Sequence, residues 1–113
     1  MQTMWVFNTK KFQLRWEIEE EAPWIGMYDL KDQERIEKKI RLGEYVCFLS
    51  RMTLTHKRTG RVLGETHLSN SIFDDPTKFH MDSGYFRDKV RECIQQAREQ
   101  LVVKKTLKLR RAA

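Results

Sequence analysis

The chain has 113 residues, of which 40% are hydrophobic and 34% are charged, and this length favours one domain over two. Its formal net charge is +6, no apolar run approaches the ~18 residues of a membrane span, and the first residues lack the basic start and apolar middle of a signal peptide. Two cysteines cannot form the disulfide framework of a small secreted domain. We therefore expect one cytoplasmic α+β domain over residues 1–103, followed by a basic tail over 104–113.

The N-terminal half of the sequence predicts a β-hairpin and a short helix. Residues 5–7 are apolar and β-prone, and residues 12–18 alternate between apolar and polar side chains, which is typical of a half-buried strand. Residues 29–42 then predict a helix, with Asp29 as its N-cap and Gly43 at its end.

The following segment predicts two further strands and a loop. Residues 44–55 carry apolar side chains on both faces, as expected for a central strand. A partner strand follows from residue 61 to about 67, and Gly64 within it indicates a bulge or a close backbone approach. Residues 68–82 predict a turn-rich loop that is broken at Pro76.

The last helix has the clearest pattern in the sequence. Apolar residues repeat at helical spacing from Phe86 to Leu101, so one stripe of this helix must pack on the sheet. Asp82 or Ser83 is its predicted N-cap. The expected fold is α+β, an antiparallel sheet of about four strands with this long C-terminal helix on one face and the 29–42 helix at an edge.

The net positive charge is concentrated at the C-terminal end. Residues 1–86 carry 13 Lys and Arg and 13 Asp and Glu, whereas residues 87–113 carry nine basic and three acidic residues. Such an end attracts polyanions, although a solvated helix face with a basic terminus would have the same composition. Spacings of four and seven residues place Arg87, Arg91 and Arg98 on one side of the last helix. The residues predicted to make contact are Arg87, Arg91, Arg98, Lys104, Lys105, Lys108, Arg110 and Arg111, followed by Lys57 and Arg58 in a turn.

Patterns typical of catalytic and metal sites are missing from the sequence. Cys47 and Cys93 fall at predicted core positions, where we expect them to act as small hydrophobes. The Asp74–Asp75 pair before a proline is typical of a solvated turn, and neither a G-x-S-x-G nor a P-loop pattern occurs. We expect a protein that is not an enzyme and takes no cofactor or metal. Metal-ligand spacing is also lacking among the three histidines, which are His56, His67 and His80.

Several turn glycines and the start of the last helix resemble those of one protein family. The resemblance is to small uncharacterised proteins from bacteriophages, prophages and plasmids, and it covers residues 7–101. It implies no catalytic residues, but it implies an accessory role for a mobile genetic element, such as inhibition of a host CRISPR-type defence complex. The segments that carry it are Gly43-Glu44-Tyr45-Val46, Gly60-Arg61-Val62-Leu63-Gly64, Leu68, Ile72-Phe73, Tyr85-Phe86-Arg87-Asp88 and Ala97-Arg98.

These observations favour a binding function. The first hypothesis is a non-enzymatic protein of a mobile genetic element that binds a host protein or nucleoprotein complex through a basic surface. The alternative is weakly specific binding of DNA or RNA by the C-terminal helix and tail, which would be sensitive to salt. A hydrolase would need a pocket joining His67 or His80 to two carboxylates. No membrane partner is expected, and a homodimer is possible through Val102, Val103, Leu107 and Leu109.

Overall fold

A computed structural model describes the backbone of residues 1–82 and 84–112, and the side chains of residues 1–80 and 84–102. The structure confirms the predicted α+β class, because four antiparallel strands in the order β1-β2-β3-β4 form one sheet and a long C-terminal helix packs on it. The strands are β1 (Gln2–Asn8), β2 (Phe12–Glu20), β3 (Val46–His56) and β4 (Val62–Phe73). The helices are α1 (Leu30–Arg41), α2 (Pro76–Asp82) and α3 (Gly84–Ala112).

The core lies between the sheet and the helices α2 and α3. Its largest fully buried side chains include Trp16 of β2, Phe48 of β3 and Phe79 of α2. The Trp16 and Phe79 rings stack with centroids 5.5 Å apart, and the Phe48 ring meets Phe79 edge-on at 5.9 Å. Alternating residues of β2 and β3 point to this side, as the period of two predicts for β2.

The prediction of a loop over residues 68–82 is wrong. The strand predicted to end near residue 67 continues to Phe73, which pairs with Val46, and α2 follows directly from Pro76. Ser69 and Asn70 have low β propensity, but pairing with the central strand β3 outweighs it. Pro76 starts α2 rather than breaking the chain, since the first helical residue needs no N–H donor.

The path of α3 is set by a close approach to Gly64. A Cβ atom at this position would collide with the carbonyl oxygen of Cys93 and lie 3.1 Å from its Cα. The register of β3 and β4 also shifts between Leu54 and Thr55, and Gly64 is the partner of Leu54. The structure therefore confirms both the bulge and the close approach that this glycine predicts.

The helix α3 also covers the free edge of β4. The Gln96 side chain accepts a hydrogen bond from Glu65 N, and Gln100 Nε2 donates one to Leu63 O, both at 2.9 Å. Because Leu63 is the second residue of β4, the helix runs past the end of the sheet after Gln100. It continues as helix to Ala112 through the segment that the sequence predicts as a tail.

The sequence predicts capping residues for α1 and for α3. Asp29 caps α1 as predicted, since its Oδ1 accepts a hydrogen bond from Asp32 N at 2.9 Å, and Gly43 follows the helix with a φ of 78°. The caps predicted for α3, Asp82 and Ser83, lie outside the residues whose side chains are described.

None of the helices in the described part of the chain is long and apolar enough to cross a membrane.

Candidate functional site

The turn between β1 and β2 lies beside the turn between β3 and β4. Lys57 N donates a hydrogen bond to Lys11 O at 2.9 Å, and Phe12 pairs with His56 at the end of the ladder. An antiparallel meander places its first and third connections at the same end of the sheet, because the chain reverses direction at each one. Two segments that are far apart in sequence therefore become neighbours.

These two turns form a basic end of the molecule. Residues 9–11 and 57–61 contain no acidic side chain, and all of their basic side chains are exposed. None of these cations forms an ion pair with any residue whose side chain is described. We define the basic end as Lys10, Lys11, Lys57, Arg58 and Arg61, together with Arg98 of α3.

The helix α3 joins the basic end near its last described side chains. A surface cavity of about 490 Å³ is lined by Arg58 and Arg61 from the turn and by Gln100 and Leu101 from α3. Beyond Leu101 the helix continues to Ala112. The basic residues in that continuation, whose side chains lie outside the described residues, are Lys104, Lys105, Lys108, Arg110 and Arg111.

The three arginines predicted along α3 are exposed, but only one of them joins the basic end. Arg87, Arg91 and Arg98 form no ion pair with another described side chain. Arg87 lies 11 residues before Arg98 in α3, which is about 16 Å along the helix axis. Arg98 lines the same groove as Thr9 of the first turn, which places it beside the two basic turns, whereas Arg87 lies near the other end of the described helix.

Lys10 and Lys11 belong to this site but are not among the contact residues predicted from the sequence. Counting charge along the chain makes residues 1–86 neutral, and this sum hides the clustering of basic residues in both turns. The opposite end of β2 is acidic, because Glu19 and Glu20 are exposed there, about 25 Å from its first residue. The turns of the two predicted hairpins lie at the same end of an antiparallel sheet, so the predicted strands already imply this cluster.

An apolar groove adjoins the basic end. It has a volume of about 470 Å³ and lies between the β1–β2 hairpin and α3, which packs on β3 and β4 and leaves β1 largely uncovered. Exposed Arg98 is at its rim. Its walls include Trp5, Phe7 and Phe12 from the hairpin, and Val90, Ile94 and Leu101 from α3.

The three histidines have different surroundings. His80 packs among aromatic rings, with centroids 4.1 Å from Phe86 and 5.4 Å from Trp5. His67 is exposed and its Nε2 lies 3.2 Å from Glu65 Oε1, while His56 contacts the Phe12 ring edge-on. Within the described part of the chain, no three His, Cys, Asp or Glu side chains are grouped so that they could hold a metal ion.

Both cysteines are buried. Cys93 Sγ donates a hydrogen bond to Met52 O at 3.3 Å, and burial raises the pKa of its thiol. Burial, together with the negative charge of Glu21, also raises the pKa of the Cys47 thiol. Each thiol therefore has a smaller thiolate fraction at neutral pH than a free cysteine.

We expect neither thiol to react with Ellman's reagent in the folded protein at pH 8. The reactive species is the thiolate, and both the raised pKa values and the burial disfavour its attack. Both thiols should react at once in denaturant, which serves as the control. Rapid labelling of one thiol in the native protein would contradict the buried placement of that cysteine.

Comparisons of the chain with protein-family models, with curated proteins and with solved structures found no match.

Proposed function

We propose that this chain is a non-enzymatic binding protein that holds a nucleic acid, either free or within a nucleoprotein complex, through its basic end. The observation that carries the proposal is the meeting of two basic turns with α3 at one end of the sheet, with no acidic side chain in either turn. Lysine and arginine side chains neutralise the phosphates of a nucleic acid and release their counterions, which favours binding.

The form of the site favours contact with the phosphate backbone over reading of bases. Lysine and arginine side chains on turns position a nucleic acid through its phosphates, and such contacts carry no direct sequence information. The acidic end of β2, with Glu19 and Glu20, repels a polyanion and so orients the basic end toward it. The sequence of α3 carries five further basic residues between positions 104 and 111.

The mobile-element role that the resemblance implies belongs to this proposal. If the chain acts for a phage or plasmid, its partner is a nucleoprotein complex of the host, such as a CRISPR-type effector. The basic end would then compete with that complex for nucleic acid or bind nucleic acid already held within it.

We expect substitution of three turn cations to weaken binding of single-stranded DNA or RNA at least about tenfold at moderate salt. The variant carries Lys57→Ala, Arg58→Ala and Arg61→Ala. Because each lost phosphate contact lowers the salt dependence, the slope of log affinity against log salt should fall by about two. Fluorescence anisotropy with labelled oligonucleotides across a salt series measures both quantities.

A charge-matched control separates a local site from general attraction. The control variant carries Lys31→Ala, Lys38→Ala and Arg41→Ala. These exposed side chains belong to α1, which connects β2 to β3 at the opposite end of the sheet. Both variants lose three positive charges, but only the turn variant should lose binding. Equal losses in the two variants, or no binding by the wild type at low salt, would overturn the proposal.

A further inference from the structure

The two outer strands of the sheet, β1 and β4, differ in how their free edges are protected from pairing with another strand. On β4, the side chains of Gln96 and Gln100 bond to backbone groups of the free edge. On β1, no described group outside the hairpin forms a hydrogen bond with the backbone of Gln2–Asn8. This strand also lacks the charged residues and prolines that usually keep an exposed edge from pairing.

The side chains of β1 present apolar surface on both sides of this free edge. Trp5 pairs with Trp16 and Phe7 pairs with Leu14, so both point to the helix side, where they line the apolar groove. Val6 points to the other side of the sheet. Phe7 is 54% exposed and Val6 39% exposed, which is unusual for an edge strand that stays unpaired.

We propose that β1 pairs with β1 of a second copy of this chain in the antiparallel direction, which joins two sheets into one of eight strands. This inference does not depend on the proposed function. It places Val6 on the two-fold axis. Partners in a ladder share a face, so each Phe7 then packs beside Trp5 of the other copy and its exposed surface is covered.

The register follows from the regular part of β1. The pairing of β1 with β2 is irregular between Thr3 and Trp5 and regular from Trp5 to Asn8. Centring the new ladder on Val6 uses this regular part and forms two Trp5–Phe7 pairs on the helix side. Aromatic pairs across strands are among those that stabilise a sheet.

The charge distribution favours the antiparallel direction and a second copy as the partner. In parallel pairing, the two basic ends would lie side by side and repel each other. Antiparallel pairing separates them and directs the Lys10–Lys11 turn of one copy toward the start of β1 in the other. That start pairs with Ile18, which is followed by the exposed carboxylates of Glu19 and Glu20.

Light scattering coupled to size-exclusion chromatography tests this dimer across about a hundredfold range of protein concentration. We expect the wild type to have twice the 13.7 kDa mass of the chain and Val6→Asp to have the mass of one chain. Val62→Asp is the matched control, because Val62 is 45% exposed on the other outer strand, and it should remain dimeric. A monomeric wild type at every concentration, or a Val6→Asp protein that stays dimeric, would overturn the inference.

A second variant keeps the test decisive if Val6→Asp fails to fold. Val6→Cys places two thiols next to each other on the two-fold axis, so a short bismaleimide should link most of the protein into a covalent dimer. The native cysteines are buried and should not compete. Val62→Cys should give little covalent dimer, and equal linking of the two variants would contradict pairing through β1.

Discussion

Trp16→Ala is expected to lower the free energy of unfolding by about 3–5 kcal/mol. Trp16 is only 2% exposed, and its ring meets Phe86 edge-on at 5.6 Å in addition to its stacking on Phe79. Its Nε1 donates a hydrogen bond to Ser50 Oγ at 3.2 Å. The substitution therefore removes contacts between β2 and both α2 and α3 and leaves a cavity at the centre of the core.

Trp24→Ala provides the control for this substitution. Trp24 is 64% exposed, and its bonds to Asn70 involve only backbone atoms of Trp24, so they survive the change. We expect its effect to stay within about 0.5 kcal/mol. Urea unfolding followed by far-UV circular dichroism measures both variants, and similar losses of stability would contradict the central position of Trp16.

Gly64→Ala is expected to destabilise the protein by about 1–3 kcal/mol or more, although it adds only one methyl group. The atoms that this methyl group would meet belong to the backbone of Cys93 and cannot rotate away as a side chain could. The helix α3 would have to move off β4, which would also weaken the bonds of Gln96 and Gln100 to the free edge.

Gly84→Ala is the control for Gly64→Ala, because nothing lies within 4 Å of a Cβ atom at Gly84. That substitution should leave stability nearly unchanged. Displacement of α3 has a second readout, since it would open a path to the buried Cys93 thiol and speed its reaction with Ellman's reagent. A Gly64→Ala protein as stable as Gly84→Ala, with Cys93 still protected, would show that α3 does not rest on this glycine.

Much of the fold was predictable because its signals are local. The alternation over residues 12–18 depends only on neighbouring side chains, and so does the cap of α1 at Asp29. The extension of β4 to Phe73 was not predictable in this way. Its residues favour a turn by themselves, and they form a strand because β3 offers backbone partners that lie far away in sequence.

Local sequence signals also predict one part of the candidate site, and long-range contacts set the other part. Helical spacing alone assigns a basic side and an apolar side to the last helix, because residues three and four apart share a face. The grouping of Lys10 and Lys11 with Lys57 and Arg58, close to Arg98, depends instead on the sheet topology, which brings the two turns to one end. Charges act through space and are screened within about 10 Å, so a basic surface depends on which turns the sheet brings together and not on the charge summed along the chain.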